Sequence, residues 1–149
     1  MLAELAISTI MVLATVLLHA VGLTILSYGL KLETGRQRRM RPDPLSLRGI
    51  GFTLLLVTGI FVLHGVEIWF YGLVYILLEA IPDLRTAIYF SSITYATIGY
   101  DDDAIADHWA LIAAIEGING ILLLGWSTAF FITVVTRLGH GRDEDVPED

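Results

Sequence analysis

Four ionisable side chains interrupt stretches that are otherwise apolar: His19, His64, Glu67 and Glu116. Set in a membrane, such a charge costs at least ~2.5 kcal/mol at a helix centre, so these groups turn to the bundle interior and find partners. His64 and Glu67 are one helical turn apart and share a helix face. Glu116 falls at a depth within roughly 6 Å of Glu67 if both helices start from the same surface. Histidine changes charge near physiological pH, so a cluster of His64, Glu67 and Glu116 could titrate as a gate or brace a neighbouring helix. The plainer alternative is a satisfied structural hydrogen-bond network. A metal site built from the two histidines and two glutamates is a further option. A second chemical feature is the run Asp101-Asp102-Asp103, which would concentrate cations, divalent ones included. No nucleophile stands at a usable spacing from a base, and no metalloprotease pattern is present, so the chain does not read as an enzyme.

The segments that must position these groups are strongly apolar. Of 149 residues 55 % are hydrophobic, and the mean hydropathy is +0.70. A soluble domain is roughly 45–50 % apolar, with its apolar residues scattered by amphipathic periodicity. Here they run together. Residues 1–30 form a first run that opens with Glu4 and is too long for a signal peptide, so a retained transmembrane helix is expected. Residues 31–48 form a polar linker with Gly35, Pro42 and Pro44. Residues 49–138 hold two further spans, an outer helix at 49–81 and an inner helix at 109–138, and 139–149 is an acidic tail.

Charge sets the orientation. Of the nine Lys and Arg, Lys31, Arg36, Arg38, Arg39, Arg41 and Arg48 lie in or at the edge of the linker. Between two apolar runs this reads as a topology signal rather than a nucleic-acid site, and it puts the linker and tail inside and the N-terminus outside. Trp69, Tyr71, Tyr75, Tyr89, Tyr95 and Trp109 gather toward the outer half, as an aromatic belt would. With no cysteine, disulfides and thiolate metal sites are excluded.

Between the second and third spans lies a segment too apolar for an ordinary loop and too short to cross. Asp83 after Pro82 is a suitable N-cap for a helix over 83–94. A short capped helix between two spans suggests re-entry, with the non-helical backbone after it buried in protein or lining a water-filled cavity.

That following stretch is Thr97-Ile98-Gly99-Tyr100-Asp101-Asp102, which resembles the potassium-channel filter signature Thr-Val/Ile-Gly-Tyr/Phe-Gly-Asp. The resemblance continues into Tyr89-Phe90-Ser91 and Thr94 on the pore helix and into residues 115–129 of the inner helix. It covers about residues 49–138 and is to the pore domain of small bacterial two-helix channels, here with an extra N-terminal helix. It implies an all-α membrane protein of three transmembrane helices plus a re-entrant pore helix and filter loop over 97–102, four copies forming a homotetramer in the lipid bilayer of a bacterial or archaeal plasma membrane. It implies that Thr97 supplies hydroxyl and carbonyl, and Ile98, Gly99 and Tyr100 carbonyls, to a permeant monovalent cation, K+, with Asp101 the last position of the filter. No cofactor, small-molecule substrate or nucleic acid is implied. Turning successive carbonyls inward needs backbone angles that glycine reaches cheaply, which is the expectation at Gly99.

The chain departs from the signature at Asp101, where the second glycine stands in the family. Aspartate is among the non-glycine residues that best tolerate positive φ. The departure leaves a weakly selective or divalent-passing channel as the alternative, with a non-conducting modulatory subunit behind it. Asp102 and Asp103 are expected at the outer mouth. The buried Glu that some family members carry near the end of the pore helix is Ile93 here, so another group must brace the filter. On the inner helix, Gly120, Leu123 and Ser127 continue a stripe from Glu116 that could line a cavity. Gly117, Gly120 and Gly125 could be bending points or close-packing sites.

Overall fold

In the computed structural model, residues 1–35, 46–99 and 104–139 are described. The described residues form four α-helices and a 3-10 turn: α1 (Leu2–Gly35), α2 (Leu47–Leu77), α3 (Leu84–Tyr95), the turn Asp107–Trp109, and α4 (Ala110–Gly139). Among the described residues there is no strand, and three helices are long and apolar enough to cross a membrane: Leu2–Gly29, Leu47–Leu77 and Asp107–Thr136. The protein is an all-α membrane protein. The expected 31–48 linker is shorter than its composition suggests: α1 continues through Gly35 and α2 begins at Leu47, while residues 36–45 and 140–149 lie outside the described residues.

Local chemistry explains the helix limits. Ser46 caps α2 by accepting from the Gly49 amide at 3.1 Å, and Asp83 caps α3 by accepting from the Thr86 amide at 3.0 Å. The α2 helix stops at Leu77, four residues short of the expected Ile81. Its last carbonyls are closed by the Glu79 amide on Ile76 and the Ala80 amide on Tyr75. This closure is a Schellman motif, which requires a left-handed residue just past the helix, and Glu79 takes it with φ 54°. The chain then turns back into α3. The Ala106 amide bonds to the Ala80 carbonyl at 3.0 Å, so the segment leading into α4 is stitched to the end of α2.

The core forms where α3 lies between α2 and α4. Tyr71, Tyr75, Ala87, Phe90, Ile112 and Ala113 are buried there, and the Tyr75 and Phe90 rings meet edge to face at 5.5 Å. Such a pair adds about 0.5–1.5 kcal/mol beyond its area burial. The α1 helix packs on both α2 and α4, with Leu63 of α2 seated over Gly22 and Leu26 of α1 over Gly59. A Cβ on Gly22 would stand 2.4 Å from the Leu63 side-chain tip, so the glycine leaves room for Leu63 where α1 crosses α2. Large apolar side chains such as Leu13, Leu17 and Phe61 stay exposed on the outer surface, as suits lipid contact.

Candidate pore loop and the polar groups behind it

The α3 helix delivers its C-terminal end to the inside of the bundle. It closes as α2 does: the Thr97 amide bonds to Thr94 (3.0 Å) and the Ile98 amide to Ile93 (2.9 Å). The left-handed residue in this second Schellman motif is Thr97, with φ 56°, while no glycine among the described residues has positive φ. The special backbone expected at Gly99 therefore falls two positions earlier. The cause is local: the helix end needs a left-handed residue directly after its cap, and that position holds Thr97. A β-branched residue there carries strain of order 1–3 kcal/mol. Tyr100, Asp101, Asp102 and Asp103 lie outside the described residues.

Thr94, Thr97 and Gly99 border an open pocket of about 710 Å³, whose other wall is α4 at Ala110, Ala114 and Gly117. The carbonyl end of α3 faces this space and brings the negative end of its dipole with it. Thr94 Oγ1 is buried without a hydrogen-bond partner among the described residues. At the far end of α3, hydrogen bonds from the Thr86 side chain and amide hold the Asp83 carboxyl below its ordinary range, which keeps the cap ionised.

Behind the pocket lie two separate carboxylate nests. Glu67 is fully buried, with His19 Nδ1 at 2.8 Å from Oε1 and His64 Nδ1 at 3.1 Å from Oε2. The Tyr95 hydroxyl donates to the same Oε2 at 2.5 Å and lies 2.9 Å from His64 Nδ1. Glu116, also fully buried, accepts from the Tyr75 hydroxyl and has Ser91 Oγ at 2.5 Å. Ser91 is 3.1 Å from the Ile68 carbonyl as well, so its one proton serves either acceptor. Between the nests, Asn119 Nδ2 donates to Thr15 Oγ1 (2.8 Å) and reaches the Tyr71 hydroxyl (3.2 Å).

The single His64–Glu67–Glu116 cluster is thus corrected. His64 and Glu67 meet, but Glu116 is held by Tyr75 and Ser91, and His19 takes the place expected of it. Tyr71, Tyr75 and Tyr95 are also not belt residues: they are at most 1 % exposed and spend their hydroxyls on the network, whereas Trp69 and Tyr89 remain exposed. The stripe Gly120, Leu123 and Ser127 does not line an open cavity in the chain. Leu123 is 1 % exposed, Ser127 Oγ sits 3.3 Å from His19 Nε2, and a Cβ on Gly120 would stand 2.2 Å from the Tyr95 carbonyl oxygen. That face of α4 points at α1 and α3, so Gly120 is a close-packing site.

Sequence reasoning named His19 as a polar interruption but missed Thr15, Tyr75, Ser91, Tyr95 and Asn119 as its neighbours' partners. The signal available was spacing: Thr15 and His19, and likewise Ser91 and Tyr95, are one turn apart, each pair marking one face.

A family model described as an ion channel matches residues 50–137. No curated protein and no solved structure matches the chain.

Proposed function

The chain belongs to the ion-channel family of the potassium-channel pore-domain type, and from that premise we propose that four copies assemble around one axis to conduct K+. The filter is Thr97-Ile98-Gly99-Tyr100-Asp101, with Asp102 and Asp103 at the outer mouth. The observation that carries this reading is the placement of α3. It is a capped half-helix whose carbonyl end opens, with Thr97 and Gly99, on a pocket walled by α4. One chain contributes one oxygen per level, and fourfold symmetry turns this into the ring that replaces the hydration shell of an ion. In a single chain the filter start is folded onto the end of α3. It is held there by the Thr97 and Ile98 amides, so in the assembly the filter carbonyls are left to face neighbouring chains and the cation, and the unpartnered Thr94 hydroxyl borders the same space.

The brace that some family members draw from a pore-helix carboxylate is supplied here from outside the pore helix. Glu67 holds Tyr95 and Glu116 holds Ser91, so both of these pore-helix residues are fixed by carboxylates on the spanning helices. The linker faces the cytoplasm and the acidic mouth faces outward. Asp101 in place of a glycine favours the second reading, a weakly selective or divalent-passing channel.

Flux from proteoliposomes loaded with KCl tests the proposal. Potassium efflux that collapses in Gly99→Val supports it. Absence of flux from a protein that runs as a monomer would move the assignment to a modulatory subunit.

A further inference from the structure

We propose that His19, His64 and Glu67 form a binding site for a divalent transition-metal ion of the zinc type, tying α1 to α2 beside the end of the pore helix. The three side chains offer two imidazole nitrogens and a carboxylate oxygen, all within 4.8 Å of one another. A tetrahedral zinc site with bonds of ~2.0–2.1 Å holds its ligand atoms a little over 3 Å apart. The His19–Glu67 and His64–Glu67 separations of 2.8 and 3.1 Å need to open by only a few tenths of an ångström.

The surroundings favour a cation there. Glu67 is wholly buried, and among the described residues its carboxylate meets the imidazoles of His19 and His64 and no Lys or Arg. A buried carboxylate without a full positive charge is costly, and a divalent ion supplies that charge. Two nitrogen donors select zinc-type ions over Ca²⁺ or Mg²⁺, which take oxygen. The His19 ring is set for ligation through Nδ1: its Nε2 is 3.3 Å from Ser127 Oγ, and Trp126 packs on it at 5.3 Å. Metal-binding histidines are oriented by a hydrogen bond of this kind through the other nitrogen. The Tyr95 hydroxyl, 2.9 Å from His64 Nδ1, is a further oxygen beside these three ligands. The site is independent of the acidic mouth and of whether the pore conducts.

The test titrates Co²⁺ into the chelator-stripped full chain in detergent and follows the visible absorption. The expected result is one strongly absorbing, tetrahedral-type Co²⁺ per chain, displaced by Zn²⁺ and lost in His64→Gln. Asp101→Asn with Asp103→Asn is expected to leave that band in place. His19→Cys guards against misfolded variants, because a retained site then gains the intense cobalt–thiolate charge-transfer band. Absence of the tetrahedral band in the folded wild type would overturn the proposal. So would a band unchanged in His64→Gln, or one abolished by the mouth variants alone.

Discussion

The hydroxyl of Tyr95, the last residue of α3, donates to Oε2 of Glu67 on α2 at 2.5 Å. Both side chains are at most 1 % exposed. The end of α3 that leads into the proposed filter is therefore fastened to a spanning helix by a charge-assisted hydrogen bond, among the stronger kinds available to a protein. Tyr95→Phe removes only the donor and keeps the ring. It should lower stability by about 1–3 kcal/mol, because Glu67 stays buried with one donor fewer. Thermal unfolding in detergent measures this, and ion flux in liposomes should fall with it.

The same helix end is approached from the other side by Gly120. A methyl group there would collide with the Tyr95 carbonyl, which is backbone and cannot swing away. Gly120→Ala should therefore cost about 1–3 kcal/mol through overpacking. Gly125→Ala is the matched control on the same helix: nothing stands within 4 Å of its Cβ position, and it should leave melting unchanged or raise it slightly. Equal effects of the two substitutions would show that helix propensity, rather than the contact with Tyr95, governs both.

Much of this arrangement was legible in the sequence, and the reasons are local. The spans follow from apolar runs, and the start of α3 follows from Asp83, whose side chain does cap the helix. What was not legible depended on rotation about helix axes. Depth along a helix can be counted from sequence; rotation cannot. Which way Glu67 and Glu116 point is set by packing: with Gly120 of α4 against the Tyr95 carbonyl, Glu116 on the same helix meets Ser91 and Tyr75 instead of His64. The left-handed residue was misplaced for a related reason. The resemblance drew attention to Gly99, whereas the helix end, closing on Ile93 and Thr94, demanded that conformation at Thr97.

Strain at Thr97 separates stability from conduction. Thr97→Gly takes the left-handed conformation freely and should stabilise the protein by about 1 kcal/mol in potassium-free buffer. The same change removes a side-chain oxygen from the proposed filter, so flux should drop. A melting temperature that rises while flux falls is the expected pair of results. A drop in both would mean that the strain is absent.

The Asp83 cap carries a pH dependence of known sign. Its carboxyl is held below the ordinary value of 3.8 by the Thr86 hydrogen bonds. A depressed folded-state value means that its contribution is fully present above the unfolded value and disappears as pH falls through the folded one. The stability gap between wild type and Asp83→Ala should therefore be constant near neutrality and close only in strong acid. Asp83→Asn, which caps without ionising, should lack that acid step in melting experiments.

The central claim is selective conduction through Thr97-Ile98-Gly99-Tyr100-Asp101, and the reversal potential tests it most directly. Purified protein in a planar bilayer would face potassium on one side and sodium at equal concentration on the other. The account predicts current that reverses far from zero, at a potential that holds potassium back. Reversal close to zero would contradict it, because a filter that passes both ions alike is not the carbonyl ring proposed here.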